Sequence, residues 1–469
     1  MKIEQVWRTG GQLALLAMVA LGAGCGPGGA QGPEGDVPLA TVEQEAGGNT
    51  RWTRRSVGTP GRNTFLEDIV IDRDGNSIGV GSYGGAPDFG GGPLPAAGGS
   101  TGFIVKHAQD GRLLWARGYP SLSSFRAVVT DRERNIIFLG FASPGGTFEG
   151  HPIPEGLFIM KLSSRGGFRW VRSLSGSTTF GFGASLTVDL EDNILMAGSL
   201  EGTMDLGGGP RTGFEAAFLV KYTKDGTWLW DRVFNTEDSS HFGGVATDEA
   251  NHIFVAGFFI EGGDFGGGPL PVVDSDSQTP VVARFSPSGA HVWSRTLDGM
   301  TSSARFRSVA IHGNRVVLGG DFTGSFRFGG RAITARNTTL NGMVLAMTRD
   351  GEDRWGRSLG LSVLEVKADL EDDITVLGVA SPGHDVGTGP LPSTPSRHFF
   401  VSKFDRVHGT QDWVRTFDNE AASVTFLGVA RHGEVVVAGS FLAPVNFGTG
   451  RLSPTLADNF DAFIFRTNP

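Results

Sequence analysis

The tripeptide Trp-x-Arg recurs along this chain with a spacing that chance does not produce. It starts at Trp52, Trp115, Trp170, Trp230, Trp293, Trp355 and Trp413, at intervals of 55 to 63 residues, and takes seven of the nine tryptophans. A fixed period of this kind marks one supersecondary unit used repeatedly, in which each copy buries its apolar face only by packing on the next.

The second unit shows the parts. "FRAVVTD" (125–131) is a short apolar run ending in Asp131, "IIFLGFA" (136–142) is continuously apolar, "GLFIMKL" (156–162) is a third run and "FRWVRSL" (168–174) a fourth. Polar turns separate them, so the unit reads as four antiparallel strands, here called a, b, c and d. Strand b is apolar at both parities and is expected to be buried on both faces. It carries a glycine in every unit, at Gly81, Gly140, Gly198, Gly257, Gly319, Gly378 and Gly439. A side chain missing at one recurring place suggests close approach of the neighbouring sheet. Four-stranded sheets buried on both faces stack radially, which predicts an all-β chain, a seven-bladed β-propeller of four-stranded antiparallel blades. The last unit ends on strand c, while "RWTRRSV" (51–57) precedes the first a strand. The N-terminal strand should therefore supply the missing d strand and close the ring.

"DFGGGPLP" occurs at 88–95 and again at 264–271, with variants such as "DLGGGP" (205–210), "DVGTGPLP" (385–392) and "NFGTGRL" (446–452). Glycines that cradle a phosphate lie between a strand and a helix, and no helix follows here. These segments read as b–c loops in which glycine turns the chain and Phe89 or Phe265 tucks back onto the sheet.

The beginning of the chain has Lys2 and Arg8, an apolar run from Leu13 to Leu21, small residues and Cys25, the single cysteine. This is the layout of an export signal. The small residues ending in cysteine resemble the lipobox of bacterial lipoproteins, with Leu21 four positions before the cysteine rather than three. The resemblance implies that Cys25 becomes the lipidated first residue of the mature protein, held to the membrane through that anchor. Residues 1–25 are thus assigned as signal peptide, 26–49 as a flexible Gly/Pro-rich tether and 50–469 as the propeller. The repeated pattern F-x-V-K…G…W-x-R…D…N-I-x-V-x-G…D-F-G-G-G-P-L resembles the SBBP-type β-propeller repeats of bacterial exported proteins and lipoproteins. That resemblance covers about 50–469 and implies a propeller at the cell envelope without an assigned activity. The "DG…W" corner at 110–115 also resembles the quinone-cofactor propellers. Relatives of those without cofactor include an envelope lipoprotein that assists outer-membrane assembly.

Composition narrows the function classes. Net charge is −9 and the Lys and Arg residues are scattered, which argues against nucleic acid as a partner. No His/Cys spacing for a metal is present, and no cofactor is expected. "DRDGN" (72–76) reads as a hairpin turn, with calcium ligation as the alternative. "GGSTG" (98–102) and "GNSIG" (75–79) match G-x-S-x-G, but neither follows a strand into a helix. Trp and Arg two apart on a strand share a face, so each pair should point into the next blade, with stacking or an Arg–Asp contact to the a-strand aspartates. In a four-stranded blade the d–a and b–c connections share one side of the disc, and here they are the long ones. Ser123, Thr178, Glu237, Asp238, His241 and Thr301, placed in d–a loops, are the candidate ligand-binding residues.

Three functions follow from this reading. The first is a non-catalytic binding or scaffold module at the cell envelope, its partner an envelope glycan, a peptide or a protein. The second is an outer-membrane assembly accessory. The third is a propeller enzyme, a lyase or glycan hydrolase, using Glu237, His241 or Glu420 at the channel mouth.

Overall fold

The computed structural model describes residues 48–469, apart from 180–183, 337–339, 370–372, 388, 394–396, 406, 419–421, 431 and 457. Cys25, the signal segment, nearly all of the tether and Glu420 lie outside the described residues.

Among the described residues the chain is all β; five of its large sheets are four-stranded and antiparallel in the order a-b-c-d, and one eight-stranded sheet joins units 2 and 3. Unit 1 is Thr64–Ile71, Ser77–Gly85, Ala97–His107 and Leu113–Tyr119. Unit 4 is Ser240–Thr247, Ile253–Phe259, Thr279–Phe285 and His291–Arg295. Unit 5 is Ala304–His312, Arg315–Phe322, Asn341–Thr348 and Asp353–Leu359, and unit 6 is Ser362–Ala368, Ile374–Ala380, His398–Phe404 and Gln411–Asp418. Unit 7 takes Ala422–Val429, Val435–Phe441 and Asp461–Thr467 from the end of the chain and Thr50–Arg55 from its beginning. Trp52 there pairs with Arg466 and Arg55 with Phe463.

Units 2 and 3 differ from the rest. Strand d of unit 2 runs from Phe168 to Thr179, and Ser175–Thr179 pair with Glu201–Asp205 of unit 3. The cause lies in unit 3, whose b and c strands (Ile194–Asp205 and Pro210–Tyr222) stay paired out to Asp205 and Pro210. That long hairpin offers a free edge, and the preceding segment adds to it.

Apolar clusters sit between successive sheets rather than within one. Ile78, Val80 and Ile104 of unit 1 pack with Phe125, Phe138 and Phe158 of unit 2. Val436, Ala438 and Ile464 of unit 7 pack with Leu66, Phe103 and Val105 of unit 1. The a strands are the convergent ones: Thr64–Ile71 touches both Leu122–Thr130 and Ala422–Val429, Ser240–Thr247 touches Ala304–His312, and Ala304–His312 touches Ser362–Ala368.

Each repeat tryptophan lies on the c–d turn of the following unit. Trp52 covers Gly111, Trp170 covers Gly226, Trp230 covers Gly289 and Trp355 covers Gly409; a Cβ on those glycines would stand 2.4 to 3.0 Å from the ring. All four glycines have positive φ, between 62° and 81°, so the residue type is required by backbone and by space alike. The indole and the arginine also donate to that turn: Trp52 Nε1 to Gln109 O at 2.9 Å and Arg54 Nε to Gly111 O at 2.7 Å. Trp413 finds the same partner in Gly48, whose N–H reaches Pro469 O, so Gly48 and the last residues of the chain together replace a turn. The arginines stack on their own tryptophans at Trp52, Trp115, Trp230 and Trp355, 5.2 to 5.9 Å from the ring. Arg172 instead lies over Tyr222, at 5.1 Å.

The a-strand aspartates are taken by another residue. Asp72, Asp131 and Asp189 each hold the lysine that closes strand c of their own unit, Lys106, Lys161 and Lys221, at 2.8 Å and almost fully buried. The same lysines donate to the next unit's turn, at Ser164, Lys224 and Pro287. The Trp-x-Arg arginines are not these aspartates' partners because they reach across to the next turn instead. In unit 5 Met347 stands where the others have the basic residue, and Gly313 follows strand a where units 1, 2, 3, 4 and 6 have aspartate, so both halves of the pair are missing together; unit 7 has Ala430 there, and its Arg466 pairs with Glu434 instead.

The glycine of strand b answers to its own unit. In strand a one extra residue bulges out, between Leu66 and Asp68, Phe242 and Gly244, or Val363 and Glu365. The bulge drives a carbonyl over the glycine: a Cβ on Gly81 would lie 2.0 Å from Phe65 O, and one on Gly257 1.8 Å from His241 O. In unit 5 the residue in this position is Gly320, 2.1 Å from Arg305 O, whereas Gly319 faces Val363 and Val366 of the next sheet. Close approach by the neighbouring sheet therefore holds at Gly319, while at Gly81, Gly140, Gly257 and Gly378 the crowding comes from the unit's own strands.

Removing one partner from a buried ion pair leaves an uncompensated charge, which costs roughly 3–5 kcal/mol. Asp131→Gly or Lys161→Met alone should lower the thermal midpoint clearly. The double variant, which copies unit 5, should recover most of the loss, as read by calorimetry on the same preparation.

Candidate functional site

The loop residues singled out from the sequence are mostly engaged in holding loops together. Ser123 Oγ lies 2.6 Å from Ser143 Oγ, joining the start of strand a to the b–c loop of its own unit. Thr301 Oγ1 accepts the Ser325 N–H at 2.8 Å and ties the d–a loop to the b–c hairpin of unit 5. Glu237 N–H donates to Glu261 O at 3.1 Å, making the same kind of link in unit 4, with its carboxylate exposed.

Three of these residues are not in loops, Ser123 being the second residue of strand a of unit 2, Leu122–Thr130. Thr178 lies in the extended d strand of unit 2, opposite Gly202, for the pairing reason given above. His241 is the second residue of strand a of unit 4 and pairs with Phe258. The strand starts early there because buried Ser240 bridges two strands, donating to Phe234 O and accepting from Ala217 N. His241 is 9% exposed, and burial, followed by the charges of Arg305 and Arg307, pulls it down to about 3. It is a neutral imidazole near neutral pH and not a proton shuttle. Asp238 acts on the Glu215 carboxyl, which is raised by burial and then by the charges of Glu201 and Asp238.

The glycine-rich loops answer the phosphate question directly. Asp88 Oδ1 accepts the N–H groups of Gly90, Gly91 and Gly92 at 2.7, 3.1 and 3.0 Å. Asp205, Asp264 and Asp385 do the same for the glycines two and four residues on. The amides that a phosphate would need already hold a carboxylate supplied by the motif. The residue after the acid anchors the loop: Phe265, Leu206, Val386 and Phe447 are fully buried and Phe89 is 7% exposed. "DRDGN" is likewise a closed turn, with Asp72 binding Lys106, Asn76 and the Asp74 N–H. Burial pushes the Asp72 carboxyl up, but Lys106 and Asn76 outweigh it and leave it below the usual range. Ser100 of "GGSTG" lies in strand c and donates to Ser123 O at 2.8 Å.

The concentrated polar chemistry sits elsewhere, on the bulged a strands where they converge. Asp68, beside the bulge of unit 1, accepts the Ile69 N–H and, from unit 2, the Val128 N–H, both at 2.7 Å. Glu365, at the same position of unit 6, accepts the Leu427 N–H of unit 7 at 2.7 Å and pairs with Lys367 at 2.7 Å. Glu67 of unit 1 pairs with Arg126 of unit 2 at 3.4 Å. In unit 5, Arg305 and Arg307 both grip Asp321, at 2.9 and 2.6 Å. Enclosure, followed by the nearby Glu365 charge, raises Asp68 to about 7. The signal for this cluster was present in the sequence: charged residues interrupt a-strand runs that are otherwise apolar, next to the position that opposes the strand-b glycine.

No protein-family model matches the sequence. An uncharacterized WD repeat-containing protein of Acanthamoeba polyphaga mimivirus is 27% identical over 208 residues, covering 36% of this chain and 14% of that protein. The chain thus spans a small part of that relative's length. Among solved structures, the WD40 β-propeller domain of Doa1 overlaps with a TM-score of 0.46 at 11% identity, over 89% of this chain and 97% of that one. The Neurospora crassa Pan2 WD40 domain overlaps with a TM-score of 0.46 at 10% identity, over 86% and 89%. BamB from Moraxella catarrhalis overlaps with a TM-score of 0.36 at 13% identity, over 79% and 92%.

A carboxyl raised in the folded state binds its proton more tightly there than in the unfolded chain, so its contribution to stability is lost as pH rises through the folded value. For Asp68 that window runs from the ordinary carboxylate range up to about 7. The thermal midpoint of the native chain should fall between pH 4 and pH 8 by more than that of Asp68→Asn. Parallel profiles for the two proteins would remove Asp68 as the group responsible.

Proposed function

We propose that the chain is a seven-bladed β-propeller, closed into a ring by Thr50–Arg55, that works as a non-catalytic binding or scaffold module at the cell envelope. In this reading it is lipid-anchored at Cys25 and takes a polar ligand, a glycan or a peptide. The observation that carries it is the run of contacts between a strands, which returns from Ala422–Val429 to Thr64–Ile71, together with the pairing of Thr50–Arg55 on Asp461–Thr467. A ring of this kind presents a rigid rim and a polar inner surface, which suits binding. The engagement of Ser123, Thr301, Asp88 and Asp264 in holding loops, and the neutral burial of His241, favour a binder over an enzyme that uses these groups.

A second reading, docking of a partner protein on the outer edge, has its own support. Leu114, Leu229 and Val292, each one residue before a repeat tryptophan, are 39%, 42% and 45% exposed on d strands. This is the surface an assembly accessory would use.

The anchor is tested by fatty-acid labelling of the full-length chain expressed in a bacterial host. The native chain should be labelled and stay with the membrane fraction, and Cys25→Ser should lose both. Labelling that survives the substitution overturns the anchor. The binding role is tested with the detergent-solubilised chain, by thermal shift with envelope oligosaccharides and short peptides. A ligand that binds only the folded form raises the midpoint in a saturable way. Absence of any shift, or turnover of a probe, counts against a binding module.

A further inference from the structure

Around the converging a strands most of the described charged groups have their own partner, whereas one basic pair has to share a partner. Arg126 has Glu67 from the adjacent unit, Glu365 has Lys367, and Asp68 has two backbone N–H donors. Arg305 and Arg307 share a single carboxylate, Asp321, which is 1% exposed and is held in place by the Ser362 hydroxyl at 2.8 Å. Two cations on one anion leave a net charge of about +1 at this point.

The geometry of that pair leaves its binding ends free. Both arginines use Nε to hold Asp321, at 2.9 Å from Arg305 and 2.6 Å from Arg307. Among the described residues, the terminal Nη groups of both side chains have no hydrogen-bond partner. Their side chains are 25% and 34% exposed, so solvent and solutes reach them. Among the described residues, the bulge positions of the adjacent units carry no carboxylate. In unit 4 the residue at the bulge is Gly243, where a Cβ would lie 2.8 Å from Arg307 O, so no side chain can stand there. In unit 6 the bulge residue is the half-buried Leu364. Across the gap, His241 is neutral and does not repel the pair.

We propose that Arg305 and Arg307 form an anion-binding site on the inner surface, for a ligand that carries a carboxylate group. Guanidinium forks match the planar, two-oxygen geometry of a carboxylate. A monoanion neutralises the excess charge, while a dianion would set a surplus negative charge beside Asp321. Asp321 and Ser362 are positioning residues: they orient the two forks and do not meet the ligand. The site rests on the binding-module reading and specifies its ligand chemistry. A peptide C-terminus and a uronic acid both supply the group, and the test separates them.

The test uses the detergent-solubilised full chain and follows thermal midpoint and equilibrium binding with matched pairs: acetate and acetamide, glucuronate and glucose, trialanine and its C-terminal amide. The carboxylate member of a pair should shift the midpoint saturably and the neutral member should not. A response to trialanine without glucuronate names a peptide source, and the reverse names a uronate. Arg307→Leu should weaken binding roughly tenfold or more, as loss of a charge-assisted hydrogen bond does. Arg126→Leu, at the equivalent position of unit 2, should leave binding unchanged. Should Arg307→Leu fold poorly, Arg307→Lys keeps the charge without the fork and should bind in between. The proposal is overturned if acetamide acts like acetate, if phosphate binds and the carboxylates do not, or if a folded Arg307 variant binds like the native chain. A neutral oligosaccharide or an amidated peptide that still binds in that last case would leave the binding-module reading standing while removing this site.

Discussion

The contact on which the rest of the structure depends is a tryptophan ring laid on a glycine of the next unit. An isolated four-stranded sheet of this sequence would expose two apolar faces, because strand b is apolar at both parities. Packing on both neighbours is therefore obligatory. The Trp–Gly contact sets the distance and the rotation at which that packing happens. At Gly111, Gly226, Gly289 and Gly409 the turn glycine has positive φ and no room for a Cβ, so the ring fits at one separation. The arginine two residues on and the lysine that closes strand c add hydrogen bonds to the same turn. Gly48 and Pro469 rebuild that turn, so the last tryptophan is not left without a partner.

A second coupling runs inside each sheet. The bulge in strand a and the glycine in strand b need each other: the carbonyl displaced by the bulge occupies the space a side chain would fill. The consequence reaches the line where the a strands meet. The bulge brings one extra residue to the line where a strands converge, and these positions carry Glu67, Arg126, Arg307 and Leu364. Their neighbours Asp68 and Glu365 use carboxylates to hold backbone N–H groups of the next unit. A structural irregularity thus places polar side chains along the line where the a strands meet, acidic at Asp68 and Glu365 and basic at Arg305 and Arg307.

Much of the fold was legible in the sequence because its cause is local and repeated. The Trp-x-Arg lattice, the four runs per unit and the unpaired first strand each follow from periodicity and turn chemistry, and repetition amplifies signals that would be weak once. The candidate site was less legible. Ser123 and Thr301 read as loop hydroxyls available for a ligand, yet Ser123 ties the start of its a strand, and Thr301 its d–a loop, to a b–c connection roughly twenty residues away. His241 reads as a loop residue because Ser240 before it is polar, and only the hydrogen bonds of Ser240 to the paired Ala217 and Phe234 of the preceding unit show that segment to be buried strand.

By itself the sequence determined a chain of repeated, four-stranded units with two buried faces, and it determined that the glycine-rich loops are turns, because no helix follows them. Only the tertiary structure decided which charges meet. Lys106 and Asp72, or Arg307 and Asp321, are 34 and 14 residues apart in the chain, and no local pattern links them. Only the tertiary structure decided, too, that the crowded glycine of unit 5 is Gly320 rather than Gly319, since a bulge in one strand shifts its register against the next by one residue. Periodicity dictates which faces are apolar. Pairing partners, bulges and the neutralisation of buried charge depend on distances between segments, which exist only once the sheets have packed.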